Sequence, residues 1–207
     1  MTIANDLATA GTATLGEAWK TARIIDDPPL PLAPEMSVAG VAITVRCKPG
    51  DNLAIHRAIA AAPCGETVLV VDYGGCVTSG PFGEIMALAC QMQGIGGLII
   101  DGAVRDSVQI TKMGFPVFAR GKHIRGTFKN DQGTGDIPLE IGGTLIQPNE
   151  MIVADADGIV VIPLHEAESA LDAARNRLKV ESGVMARLKA GETTIKIFQL
   201  DEQELYR

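Results

Sequence analysis

Aromatic residues are scarce, at 4% of the 207 residues. Any core must therefore be aliphatic, drawn from the Val, Ile, Leu and Ala of the 46% hydrophobic fraction. Basic charge is also in deficit. The formal net charge of −7 excludes a nucleic-acid coat, which needs a basic stripe. No run approaches 18 apolar residues, so no membrane span is expected. Met1 to Trp19 lacks the basic start and apolar run of a signal peptide. Cys47, Cys64, Cys76 and Cys90 form no C-x-x-C pair, which excludes a zinc ribbon and a disulfide scaffold, and they are expected to be buried apolar filler. His56, His123 and His165 form no H-x-x-H or H-E-x-x-H pattern, so they are expected to be structural. There is no Walker loop. Gly94-Ile95-Gly96-Gly97 is no dinucleotide fingerprint, because position 99 is Ile. These absences leave a reduced, cytoplasmic, globular protein. Its length suits one compact α/β domain over 1–207, with an N-terminal helix and Pro-rich arm over 1–35 and a C-terminal helix over 165–190.

What is present alternates. The first twenty residues read as a helix with Ile3, Leu7 and Leu15 on one side. Asp27 to Pro34 must be extended or turning, because proline fits neither a helix interior nor a central strand. Val41–Arg46 reads as a strand, and Asp51 as the cap of a helix over Leu53–Ala61. Thr67–Asp72 is a buried strand by its β-branched run. Residues 73–82 form a loop, Glu84–Gln93 a helix that Gly94–Gly97 breaks, and Leu98–Asp101 a second buried strand. A short helix over Val104–Met113 and a strand over Pro116–Phe118 follow. This is the pattern of parallel strands with crossover helices. Four short strands then sit between turns: Leu139–Ile141, Thr144–Ile146, Met151–Ala154 and Gly158–Ile162. The turn Asp155-Ala156-Asp157-Gly158 lacks the spacing of a calcium loop. Glu166 to Leu188 is amphipathic, with Leu171, Ala174, Leu178 and Met185 expected to face inward.

Two segments carry candidate chemistry, each where a strand passes into a helix, the place where open α/β sheets bind ligands. In Ser79-Gly80-Pro81-Phe82-Gly83-Glu84-Ile85 the glycines lead into a helix N-terminus, whose free N–H groups and dipole favour an anion. In Ile100-Asp101-Gly102-Ala103-Val104-Arg105-Asp106 a cation and an anion stand together at the sheet's rim. A hard divalent cation takes only one or two carboxylates and keeps waters elsewhere. Asp106 is the candidate direct ligand, and Glu84 a ligand directly or through water. Arg105 can clamp a substrate carboxylate with its forked donors. On pattern alone, an ordinary strand-to-helix turn and a surface ion pair remain open as alternatives.

The segments Val70-Val71-Asp72, Gly83-Glu84-Ile85-Met86-Ala87 and Gly94 through Asp106 resemble the 4-hydroxy-4-methyl-2-oxoglutarate aldolase family, which shares its fold with the RraA-like regulators of ribonuclease activity. The resemblance continues through Pro116-Val117-Phe118, Arg125-Gly126-Thr127 and Ala154 to Val160, and covers most of residues 40–185. It implies a layered α/β/β/α sandwich with a central β core, of the swivelling β/β/α type, assembled as a homotrimer or homohexamer. It implies Mg²⁺ or Mn²⁺ on Asp106, supported through water by Glu84, with Arg105 on a 2-keto acid whose carboxylate rests on the amides of Gly83, Glu84, Ile85 and Met86. Thr127 and Lys129 are implied near the site, and Glu181 within reach of a neighbouring subunit's site. The implied reaction is metal-dependent aldol cleavage to pyruvate, with oxaloacetate decarboxylation as a side activity through the same enolate. Two alternatives stay open: a non-catalytic regulator that binds an RNA-processing endonuclease, and a Schiff-base aldolase, for which nothing marks out a lysine.

Overall fold

The computed structural model describes residues 2–63 and 65–200; Cys64, expected to be buried filler, lies outside the described residues. The chain begins with helices α1 (Ile3–Ala10) and α2 (Thr12–Ala18), then the short strands β1 (Arg23–Ile24) and β2 (Leu30–Pro31). Next come β3 (Val38–Arg46), α3 (Leu53–Ala61), β4 (Thr67–Cys76), α4 (Glu84–Met92), β5 (Ile95–Val104), α5 (Ser107–Met113) and β6 (Val117–Lys122). The last third holds β7 (Thr134–Gly135), β8 (Leu139–Ile141), β9 (Thr144–Ile146), β10 (Met151–Ala154) and β11 (Ile159–Ile162), then α6 (Ala167–Lys189) and α7 (Thr194–Phe198).

Among the described residues one large sheet runs β1-β11-β10-β3-β4-β5-β6-β2, with β7 paired to β3. Its centre, β3 to β6, is parallel, and its flanks are antiparallel. The continuous run Val68–Val71 has this cause: a central parallel strand is covered on both faces, so polar residues have no side to occupy. Alternation sorts the residues by face. Leu69, Val71, Leu98 and Ile100 pack under α3, α4 and α5. Val68, Val70, Ile99 and Phe118 pack against the β8–β9 hairpin. On the flank, Met151, Val153, Val160 and Ile162 pack under α1, α2 and α6. Hairpin, sheet and helices thus form the β, β and α layers expected. Each fully buried Leu, Ile or Val in these clusters contributes about 2 kcal/mol of apolar burial.

Several boundaries differ from expectation, each for a physical reason. The first helix is two, because Gly11 (φ 83°) breaks it and the Asp155 carboxylate accepts from Thr12 N at 2.8 Å, starting α2 afresh. Strands β4 and β5 run past the apolar cores read from sequence, since pairing with neighbours extends them through Cys76 and Val104. Gly96 and Gly97 belong to β5, where a side chain at Gly97 would meet Pro116 O at 3.0 Å. Helix α5 starts at Ser107, after Asp106 adopts a left-handed conformation. Asn52, not Asp51, is the N-cap position of α3, while Asp51 Oδ1 accepts from Leu53 N at 2.9 Å. In α6 Leu171 and Ala174 are buried, but Leu178 and Met185 are 40% and 53% exposed. At 1.5 Å per residue the helix is about 35 Å long and outruns the α1–α2 layer beneath it. Cys47 and Cys90 are buried as expected, and burial pushes both thiols up to about 12. Cys76 is only half-buried. The hydrogen bond with the Thr78 hydroxyl lowers its thiol pKa.

Candidate active site

Strand β5 carries Arg105 and Asp106 to its carboxyl end. Asp106 sits at φ 55°, ψ 34°, a region that Asp tolerates better than most side chains because its short polar group can bond locally. That single left-handed residue turns the chain from strand into α5, whose first bond runs from Ile110 N to Asp106 O at 3.0 Å. Asp101, which opens the motif, is engaged by Arg120 Nε at 2.7 Å.

The Ser79–Gly83 segment crosses directly against this turn. Arg105 N donates to Phe82 O at 2.9 Å, and Gly80 N to Arg125 O at 2.9 Å. The glycines are steric necessities. A Cβ at Gly83 would lie 2.4 Å from Asp106 Oδ2, and one at Gly80 would lie 2.3 Å from His123 O. Phe82, fully buried and stacked on Phe115 with centroids 6.2 Å apart, anchors the segment in the core. The start of α4 then meets the acid: Glu84 N donates to Asp106 Oδ2 at 3.2 Å. Arg105 Nε approaches the same oxygen at 3.8 Å. Both side chains of the pair remain about two-fifths exposed, at 38% and 42%, so the pair is open to a ligand and worth little to stability by itself.

A third segment completes the group. His123 N donates to Val104 O at 2.9 Å, and His123 Nδ1 accepts from Arg125 N at 3.0 Å. The structural role expected of His123 is thus to shape this loop. A Cβ at Gly126 would lie 3.4 Å from Arg105 Nη1, so the loop passes beside the guanidinium; Thr127, half-buried, and Lys129, exposed, follow on the same loop. Met86 is buried at 5%, whereas Ile85 is 81% exposed. Of the amides expected to seat an anion, that of Glu84 is committed to Asp106 and that of Met86 to Gly83 O. Glu181 is not among the residues brought together within one protomer. Helix α6 covers the antiparallel flank, three strands from β5 in sheet order, and Glu181 pairs with Arg177 at 2.8 Å.

The donors suit a hard cation. Among the described residues no group of three or more His, Cys, Asp or Glu converges, whereas zinc sites use at least three protein ligands. Mg²⁺ or Mn²⁺ needs one or two carboxylates and retains waters. Asp106 and Glu84 are both exposed, and the Glu84 backbone amide is bonded to the Asp106 carboxylate, so these two are the candidate acids at this turn.

Sequence reasoning missed the buried polar groups behind these loops. Tyr73 OH accepts from Gly50 N at 2.6 Å and shares a hydrogen bond with Ser79 Oγ at 2.9 Å. Asn52 Nδ2 reaches Pro81 O at 2.8 Å. No local pattern marks such residues, because their partners lie far along the chain.

The chain as a whole is similar to known proteins. Residues 12–161 match the RraA-like family model, described as aldolase/RraA. A protein of Halalkalibacterium halodurans, provisionally named 4-hydroxy-4-methyl-2-oxoglutarate aldolase, is 37% identical over 147 residues, 71% of this chain and 70% of that one. A crystal structure of a Pseudomonas syringae protein of unassigned role superposes with a TM-score of 0.82 at 27% identity, covering 92% of this chain and 90% of that one. The Thermus RNA-processing inhibitor RraA superposes at 0.67 with 25% identity, covering 73% of this chain and 92% of that one. With the family model spanning well over half its length, this chain belongs to the RraA-like aldolase/RraA family.

Proposed function

We propose that the protein is a divalent-metal-dependent aldolase that cleaves 4-hydroxy-4-methyl-2-oxoglutarate, or a related 4-hydroxy-2-keto acid, to pyruvate, and that it decarboxylates oxaloacetate as a side activity. The observation that carries this reading is the Asp106 carboxylate, exposed between the Glu84 amide and the Arg105 guanidinium. Asp106 and Glu84 would hold Mg²⁺ or Mn²⁺, which supplies Lewis acidity to the enolate left when the C3–C4 bond breaks. Arg105 binds the keto acid's carboxylate with forked donors and orients the scissile bond. The positive end of α4 adds attraction for the same anion. Thr127 and Lys129 bind the substrate's polar groups from the facing loop. Loss of CO₂ from oxaloacetate yields the same pyruvate enolate, so one site serves both reactions.

A homotrimer or homohexamer fits this reading. Ile85, Val108 and Ile124, each within two residues of Glu84, Asp106 or His123, are all more than half exposed, and Leu178, Met185 and Leu188 are exposed on the overhanging half of α6. Two different apolar surfaces on one chain suit a head-to-tail ring. In such a ring Glu181 would come to the next subunit's site. The regulatory reading, binding to an RNA-processing endonuclease, is favoured by the same exposed surface and by the likeness to the Thermus inhibitor.

The test is pyruvate release from oxaloacetate and from 4-hydroxy-4-methyl-2-oxoglutarate, with Mg²⁺ and with EDTA, beside Asp106→Ala. Turnover that needs metal and disappears in the variant supports the aldolase. No turnover on either substrate by folded protein moves the reading to the regulator. Turnover that persists in EDTA points to a Schiff-base lysine instead.

A further inference from the structure

The turn between β3 and α3 touches both loops of the site. Asp51 and Asn52 there are 4% and 3% exposed. Asn52 Nδ2 donates to Pro81 O at 2.8 Å and lies 3.6 Å from Met86 Sδ. The amide cannot be reversed, because two carbonyl oxygens would then face each other without a proton between them. Asp51 works on the other side: its Oδ2 accepts from Asn130 N at 2.7 Å. Backbone bonds join the same two segments, Asn52 N to Phe128 O at 3.0 Å and Phe128 N to Gly50 O at 2.8 Å.

These bonds exceed what starting a helix requires. Capping α3 engages only Asp51 Oδ1, on Leu53 N. The second carboxylate oxygen and the neighbouring amide are directed to other loops. Burial opposes the charge of Asp51, yet the surrounding amides outweigh it and hold the carboxyl below its ordinary range, so the group stays an acceptor. Asn52 Oδ1 is buried with no partner among the described residues. A side chain chosen for stability alone would not leave that acceptor desolvated and unpaired.

The geometry points to the Asp51–Asn52 pair as the positioning element of the site. Asn52 holds the Pro81–Glu84 turn, which carries the Gly83 and Glu84 amides. Asp51 holds the loop that carries Thr127 and Lys129. Neither residue touches the reacting atoms, and the function assigned to them rests on the aldolase reading above. Asp106 is carried by β5 and meets the held turn through the single bond from Glu84 N, so the pair acts on the keto-acid pocket first and on the cation only through Glu84.

The test uses the full chain, with Mn²⁺ followed by electron paramagnetic resonance and oxalate, a planar diacid resembling a 2-keto acid's enolate, titrated onto the Mn²⁺-loaded protein. Asn52→Asp keeps the shape and removes the donor; Asn52→Ala serves if that variant does not fold. Either is expected to weaken oxalate about tenfold while changing Mn²⁺ affinity less than about threefold. Hydrogen exchange is expected to rise in residues 79–86 and not in α6, which separates local release from global destabilisation. Asp51→Asn is expected to raise exchange in residues 123–131, and to weaken oxalate in wild-type but no further in a Lys129→Ala background. Unchanged oxalate affinity, or exchange that rises equally everywhere, overturns the positioning role. Wild-type protein that binds neither probe overturns the aldolase reading instead, and exchange alone then decides whether the pair fastens the two loops.

Discussion

Glu84 N donates to Asp106 Oδ2 at 3.2 Å, a bond that fastens the first turn of α4 to the end of β5 across 22 residues of sequence. It exists only because Gly83 lets the two segments approach. A methyl group at Gly83 would stand 2.4 Å from that same oxygen and 3.0 Å from Arg105 Cγ.

Gly83→Ala should therefore displace Asp106 while leaving the core intact. Overpacking of this kind costs about 1–3 kcal/mol, a tolerable loss for a chain with these aliphatic clusters. Mn²⁺ affinity should fall by about tenfold or more, the equivalent of about 1.4 kcal/mol. Mn²⁺ affinity equal to wild-type in a folded variant would show that the close approach of Gly83 does not set the carboxylate's position.

How far the sequence discloses this site depends on the range of each interaction. The parallel centre is legible because burial on both faces imposes β-branched runs such as Val68–Val71. Arg105 and Asp106 are legible because they follow such a run directly. Gly83 is visible as a glycine, but its reason, the Asp106 side chain far along the sequence, is not. Asn52 is invisible for the same cause, since Pro81 lies 29 residues away. Leu178 and Met185 mislead in the opposite way: their spacing is that of a buried stripe, yet the layer beneath them stops short.

Cys76 should be the reactive thiol among the three cysteines described. Hydrogen bonds from Thr78 lower its pKa, while burial pushes Cys47 and Cys90 up to about 12. The thiolate is the nucleophile, so iodoacetamide at pH 8 should label the Cys76 peptide first, and Thr78→Val should slow that labelling. Faster labelling of Cys47 or Cys90 in native protein would contradict the burial of those two residues.

Glu166 should contribute to acid sensitivity. It accepts hydrogen bonds from the Thr21 hydroxyl and from Trp19 Nε1, the latter at 2.7 Å, and these hold its carboxyl below the ordinary 4.5. A folded-state pKa below the unfolded one adds stability that is complete above 4.5 and is lost as pH falls through the folded value. Urea unfolding between pH 6 and pH 3 should therefore lose stability more steeply in wild-type than in Glu166→Gln. Parallel slopes would mean that the tie to Thr21 and Trp19 is not maintained in solution.

The overhanging half of α6 supplies the last prediction. Leu178, Met185 and Leu188 are exposed on one side of a helix whose opposite end is packed down by Ala170, Leu171 and Ala174. An apolar stripe left in water by one chain is stabilised by burial against another, at about 25 cal/mol per Å². Leu178→Lys with Met185→Lys should then reduce the assembly to monomers in sedimentation equilibrium without altering the circular dichroism spectrum, because neither residue supports the protomer's own core. If Glu181 also reaches the neighbour's site, the same double variant should lose pyruvate release while retaining Mn²⁺ on Asp106. An intact oligomer would remove α6 from the subunit interface, and monomers with full activity would remove Glu181 from the reaction.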